Sequence, residues 1–154
     1  SYLLDKQFSV VQEYNCVENN EVRHCHGPSL GQHPPKPNNF KGKLYVLING
    51  GSFSNSGIVS SCLQTNNRAT FIGQETGGNP NVITGFIKEV KLPNTKIQVQ
   101  VPTKQFVITG KANNNGRGVM PDHVVIPELA DILEGKDTEL NYTIDLISKA
   151  DKGM

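Results

Sequence analysis

The sequence has little net charge and no long hydrophobic run. Its 154 residues carry 15 basic and 14 acidic side chains, a formal net charge of +1, so its charge does not favour nucleic acid or an anionic membrane surface as a partner. No apolar run approaches the roughly 18 residues that a membrane helix needs. Hydrophobic residues make up 36% of the chain, and no internal repeat or low-complexity linker divides it. We expect one modest domain with a single function.

Cysteine is scarce as well. The three cysteines stand at irregular spacing, which does not define a disulfide framework. Cys62 falls on the apolar face of a predicted helix and is expected in the core. Cys16 and Cys25 can pair in an oxidising compartment, but the sequence leaves open whether they approach each other.

Metal-ligating side chains cluster once, at His24, Cys25, His26 and His33. His24 and His26 are two residues apart, which places them on opposite faces of an extended strand, and no second cysteine pair has zinc-finger spacing. We therefore expect exposed histidines and no metal. The alternative is that one of these histidines reaches Ser54 and acts as a general base.

The surrounding segment, 15–39, is poor in apolar residues and rich in asparagine, glycine and proline. Such composition favours irregular structure, and a connection this long is uncommon inside a compact domain. We predict that 15–39 is a loop insertion.

A strand, a glycine turn and a helix follow one another between Lys43 and Leu63. The apolar run from Lys43 to Asn49 is typical of a strand buried on both faces, which is usually central in its sheet. After Gly50 and Gly51 the apolar residues recur at helical spacing. Beyond this unit the sequence predicts a strand at 68–73, a hairpin over 82–101, and helices near 128–133 and after Asp137.

Three serines, Ser52, Ser54 and Ser56, lie where the strand passes into the helix. A helix N-terminus offers unpaired N–H groups and the positive end of the helix dipole. A serine oxygen there can attack a carbonyl while neighbouring amides stabilise the developing negative charge. The alternative is that these serines only cap the helix and shape the turn.

Four motifs occur in a distinctive order: GSFSNSG, RATFIGQETGG, LPN and GRGVMPD. Together they resemble peptidase family S41, the C-terminal-processing or tail-specific proteases, with some likeness to the tricorn branch. The resemblance implies an α/β fold of the ClpP and crotonase type, a mixed sheet flanked by helices. It also implies that 1–154 is the C-terminal portion of one catalytic domain, and that the N-terminal part of the same protein supplies further site residues.

Within that resemblance, the nucleophile is Ser54 and the backbone N–H of Asn55 is one donor to the oxyanion. Gly77 and Gly78 are expected to let a substrate strand approach the backbone, or simply to serve as turn positions with positive φ. Asn79 stands where the processing proteases have their basic lysine, so a serine–lysine dyad is absent.

The tricorn-like arrangement is incomplete too, because Asn115 stands where that branch has a glutamate. We expect the base to be a histidine upstream of this chain, with His123 as a weaker candidate. An unactivated serine is a poor nucleophile, so the alternative is a degenerate domain that only binds a peptide or another ligand.

The resemblance thus implies a serine endopeptidase that cuts extended or unfolded polypeptides through an acyl-enzyme on Ser54. It implies no metal and no organic cofactor. Relatives with this serine motif are mostly exported bacterial proteins, so the periplasm or cell surface is the expected location.

Overall fold

The chain folds into an α/β structure with nine strands and three helices among the residues described. The computed structural model describes residues 1–110 and 116–152, the last two by their backbone alone. The predicted α/β class is confirmed. The strands are β1 (Phe8–Ser9), β2 (Val11–Glu18), β3 (Glu21–Cys25), β4 (Gln32–His33), β5 (Tyr45–Ile48), β6 (Thr70–Gly73), β7 (Val82–Lys91), β8 (Gln98–Ile108) and β9 (His123–Val124), and the helices are α1 (Asn55–Thr65), α2 (Leu129–Leu133) and α3 (Thr138–Lys152).

The parallel strands β5, β6 and β9 form one sheet in that order. Helix α1 connects β5 to β6, as the strand, turn and helix pattern predicts. The core of this part consists of buried residues from β5, β6, α1 and two loops, namely Leu4, Ile48, Cys62, Leu63, Phe71 and Val119. The apolar side of α1 is thereby fixed against the sheet.

The prediction that β5 is a central strand is wrong. Among the described residues β5 pairs only with β6, and the Leu47 side chain is 40% exposed. An unbroken apolar run records hydrophobicity on both faces of a strand, but it does not record how many neighbours the strand has.

Four antiparallel strands form a second sheet in the order β3, β2, β8 and β7, and β1 pairs with β4 in a third, two-stranded antiparallel sheet. The predicted hairpin over 82–101 is confirmed, and its second strand continues to Ile108. The parallel and antiparallel strands lie in separate sheets. A second buried cluster, Val11, Tyr14 and Ile108, packs here with Ile58 of α1 beside it. Helix α1 therefore contacts both clusters.

The predicted loop over 15–39 is wrong in its first half, which contains most of the β2–β3 hairpin. Asn19 and Asn20 connect the two strands with φ of 51° and 63°, the left-handed backbone that a two-residue hairpin turn requires. Strand β3 is almost wholly exposed, so it lacks the apolar alternation that reveals a strand. Its position is set by pairing with β2 and by a disulfide.

That disulfide joins Cys16 of β2 to Cys25 of β3, with a Cα–Cα distance of 6.0 Å. The separation lies within the range that a disulfide spans, and it resolves the pairing that the sequence leaves open. Cys62 is free and buried, as predicted, and burial raises the pKa of its thiol.

Replacing both Cys16 and Cys25 by serine should lower the free energy of unfolding by about 2–3 kcal/mol, since a cross-link over a loop this short removes that much unfolded-state entropy. Urea denaturation of the oxidised protein measures the change. As a control, a reductant should destabilise the wild type equally and leave the double variant unchanged. Equal stability of wild type and variant would contradict the prediction.

Candidate active site

The turn after β5 is held by its own side chains. The Asn49 carbonyl accepts the Ser52 N–H (2.8 Å), and the Asn49 side-chain oxygen accepts the Gly51 N–H (2.9 Å). The Ser52 hydroxyl in turn accepts the Asn49 N–H (3.2 Å). Ser52 is therefore a turn residue whose oxygen is already engaged.

Ser54 occupies the N-cap of α1 but does not act as a cap. Its side chain makes no capping hydrogen bond, the residue is exposed, and no other described residue bonds its hydroxyl. The backbone has φ 57° and ψ −121°, a strained conformation for a residue with a side chain, which costs on the order of 1–3 kcal/mol. Such strain is common at functional sites, where it aims a side chain that would otherwise turn away.

Asn55 is the first residue of α1, as the sequence predicts. Its backbone N–H has no acceptor in the described part of the chain, and it lies at the positive end of the dipole of an 11-residue helix. The Ser56 N–H is used locally, by the Phe53 carbonyl (3.3 Å). The turn thus presents one free hydroxyl and one free amide side by side.

Gly77 and Gly78 pack against this turn. A Cβ on Gly77 would overlap the Gly50 carbonyl, whereas a Cβ on Gly78 would meet Phe53 and the Ser54 nitrogen at an ordinary 3.6 Å. Neither residue has a positive φ. Close backbone approach, not a left-handed turn, is therefore the reason for glycine at position 77, and the expected role of the pair in substrate binding stays a prediction.

The loop 116–119 supports the Gly77–Gly78 turn from the other side. Thr76 is buried, and it exchanges two hydrogen bonds with Val119, one through its N–H (3.1 Å) and one through its hydroxyl (2.8 Å). The Glu75 carboxylate accepts three hydrogen bonds from Arg117, two of them from the same Nε–H, and one from the Gly118 N–H. We call Glu75, Arg117 and Gly118 the carboxylate clamp.

The clamp changes the acidity of Glu75. The hydrogen bonds from Arg117 and then from the Gly118 N–H lower the pKa of the Glu75 carboxyl to about 2, from a usual value of 4.5. The carboxylate is therefore ionised at neutral pH and well below it.

None of the candidate bases bonds the Ser54 hydroxyl. His24 pairs with Glu13 (3.2 Å), and His33 bonds the Ser29 carbonyl (3.1 Å). His123 shares a hydrogen bond with the Tyr142 hydroxyl (3.0 Å).

The two positions where the resemblance expects a catalytic side chain carry asparagine. Among the residues that the structure describes, the Asn79 side chain accepts one hydrogen bond, from the Asn81 N–H at 2.8 Å. Asn115 lies outside the described residues.

Comparison with known proteins identifies the family. A sequence model of peptidase family S41 matches residues 1–125. The chain belongs to this family. The S41 chain is 30% identical over 108 residues to a carboxyl-terminal-processing protease of Synechocystis sp. The match covers 68% of this chain and 24% of that protein. A carboxy-terminal-processing protease of Bartonella bacilliformis is 31% identical over 115 residues, or 71% of this chain and 25% of the relative.

Solved structures share the fold. A candidate peptidase from Parabacteroides merdae superposes with a TM-score of 0.56 at 19% identity, covering 94% of this chain and 44% of its own. Mature CPAF in complex with lactacystin gives a TM-score of 0.55 at 24% identity, over 77% of this chain and 22% of its own. This S41 chain spans about a quarter of the length of the curated relatives it matches.

Sequence reasoning missed the carboxylate clamp. Glu75 and Arg117 stand inside two of the motifs that carry the S41 resemblance, and opposite charges in two such motifs are a usable signal. Nothing in the sequence states that the two motifs meet, since 42 residues separate them.

Replacing Gly77 by alanine should destabilise the protein by about 2–3 kcal/mol, because the new methyl group overlaps a backbone oxygen that cannot move away. The matched control is Gly78→Ala, whose methyl group meets only ordinary contacts and should cost much less. Chemical denaturation of both variants measures the difference, and similar stabilities would refute the close-approach explanation.

Replacing Glu75 by glutamine should remove a pH-dependent part of the stability. Because the folded pKa is depressed, the carboxylate stabilises the folded state above about pH 4.5, and this contribution disappears as the pH falls through about 2. The stability gap between wild type and Glu75→Gln should therefore narrow over this window in urea titrations. The stability gap between wild type and Arg117→Gln should narrow over the same pH window, because this variant loses the main cause of the low Glu75 pKa. Stability curves of wild type and variants that run parallel with pH would contradict the clamp's role.

Proposed function

We propose that this domain carries the nucleophile of a serine endopeptidase, with Ser54 forming the acyl-enzyme. The observation that carries the proposal is the exposed, unbonded Ser54 hydroxyl held beside the free Asn55 N–H at the start of α1. Preorganised amides of this kind lower the energy of the tetrahedral intermediate, because they meet its oxyanion without reorganising. Membership of the S41 peptidase family supports the same reaction.

The reaction transfers an acyl group. A base removes the Ser54 proton as the oxygen bonds to the substrate carbonyl carbon, and the Asn55 N–H binds the resulting oxyanion. The carbon–nitrogen bond then breaks, and the amine departs with the proton from the base. A water molecule, activated by the same base, hydrolyses the ester and restores the Ser54 hydroxyl.

The base is the part that the described residues do not supply. We propose an imidazole from the part of the protein preceding this chain, so that these residues alone are inactive. The second candidate function, a peptide- or ligand-binding domain without catalysis, is favoured by the asparagine at position 79. A serine without a base within reach keeps its proton and attacks slowly.

The proposed substrates are extended or unfolded polypeptides. The names of the relatives, carboxyl-terminal-processing proteases, support a polypeptide substrate. The proposed location is the periplasm or cell surface. The Cys16–Cys25 disulfide supports it, because such bonds persist in oxidising compartments and are rare in the reducing cytosol. Among the residues described, no helix has the length and apolar character to cross a membrane.

A fluorophosphonate probe tests the proposal on the full-length protein, because it labels only serines that are activated as nucleophiles. We expect labelling of the wild type and none of Ser54→Ala. The matched control is Ser56→Ala, at an exposed position two residues after Ser54 in the first turn of α1, which should remain labelled. An unlabelled wild type that still binds unfolded polypeptide would favour the binding domain instead.

A further inference from the structure

An apolar cavity opens directly beside Ser54. Its volume is about 390 Å³, and Ser54 and Asn55 form part of its lining, so it borders the two residues that carry the hydroxyl and the amide. Pockets of 300–1,000 Å³ are the usual size for sites that enclose a bound group. A substrate group seated in this cavity would lie next to the atom that attacks.

The walls of the cavity come from four elements, namely β2, α1 and the two strands of the β7–β8 hairpin. They include Tyr14 of β2, Ile58 of α1, Ile83 and Phe86 of β7, and Phe106 of β8. The Phe106 ring makes an edge contact with Tyr14 at a centroid distance of 5.0 Å and a tilted contact with Phe86 at 6.1 Å. These rings form an aromatic surface beside the nucleophile.

No charged side chain lines the cavity in the part of the chain that the structure describes, and its few polar groups include the Ser29 and Thr84 hydroxyls. An ionised group would lose its hydration there without gaining a partner. A large apolar or aromatic group would instead bury its surface against the three rings.

Phe86 has features that stability alone does not explain. It lies inside a strand whose neighbouring residues Gly85 and Ile87 are paired with β8, yet its own φ is 56°, a conformation that a bulky residue rarely adopts. Its side chain is 63% exposed. The ring is held over the cavity edge by Lys104, whose amino group stands 4.1 Å from the ring centroid.

We propose that this cavity is the primary specificity pocket of the peptidase, and that it takes a large apolar or aromatic side chain from the residue whose carbonyl Ser54 attacks. Phe86 is the specificity-determining residue at its edge. The inference rests on the proposed function, because it assigns the substrate class of the same site. Strain at Phe86 is maintained because it aims the ring at the substrate.

The test uses full-length protein and fluorogenic peptides that differ only in the residue preceding the scissile bond: phenylalanine, leucine, alanine or aspartate. We expect kcat/KM for the phenylalanine and leucine peptides to exceed that for the alanine peptide by about tenfold or more, with no cleavage of the aspartate peptide. Equal rates for phenylalanine and aspartate would overturn the proposal.

Phe86→Gly identifies the residue responsible. Glycine accepts a φ of 56° without strain, so the variant keeps the backbone and loses the ring. We expect kcat/KM to fall about tenfold for the phenylalanine peptide and to change little for the alanine peptide. If Phe86→Gly does not fold, Phe86→Asn takes its place, because asparagine also tolerates a positive φ.

The matched control is Ile87→Ala, the neighbouring exposed residue, which does not line the cavity and should leave the preference intact. An equal fall for all peptides in Phe86→Gly would contradict the role of Phe86.

Failure of the proposed function is recognised separately, by the absence of fluorophosphonate labelling. In that case fluorescence anisotropy of the same peptides with unmodified protein tests the pocket by binding. Tighter binding of the phenylalanine peptide, lost in Phe86→Gly, supports the pocket, and equal binding of all peptides overturns it.

Discussion

The packing of three backbone turns against one another is the constraint on which the candidate site depends. The turn that carries Ser54 packs against Gly77. The loop that contains Gly118 packs against the other side of the segment that carries Gly77. A strained residue keeps its conformation only where its surroundings leave it no other choice. Backbone contacts and the carboxylate clamp supply that rigidity, since each turn has no room to shift without displacing the next.

Helix α1 begins directly after Ser54 and also contributes a side chain to the cavity. Its Cys62 and Leu63 pack in the core of the parallel sheet, while Ile58 contacts the cluster of the antiparallel sheet. One helix therefore anchors the proposed nucleophile against the parallel sheet and also contributes a wall residue to the cavity beside the antiparallel sheet. The Cys16–Cys25 disulfide stabilises the hairpin that carries Tyr14, one of the aromatic wall residues.

In the proposed active site, the described residues supply the groups that position a substrate but not the base that would accept the Ser54 proton. Within the part of the chain described, the hydroxyl, the amide and the pocket are brought together, but each of His24, His33 and His123 has another partner. The clamp carboxylate is not a substitute base, because its pKa of about 2 makes it a poor proton acceptor near neutral pH. Glu75 is a positioning residue for the turn behind Ser54.

The sequence by itself determined the features that depend on neighbouring residues. Strand β5, the glycine turn and the start of α1 at Asn55 follow from local periodicity and turn chemistry, and the order of the motifs identified the family. The α3 cap is another local feature, since Asp137 accepts the Leu140 N–H at 2.9 Å.

Only the tertiary structure decided the features that depend on residues distant in the chain. These are the edge position of β5, the hairpin hidden in 15–39, the disulfide, the clamp between Glu75 and Arg117, and the aromatic pocket around Phe86. Contacts between residues far apart in sequence leave no period and no spacing to read, because their geometry exists only after the chain has folded.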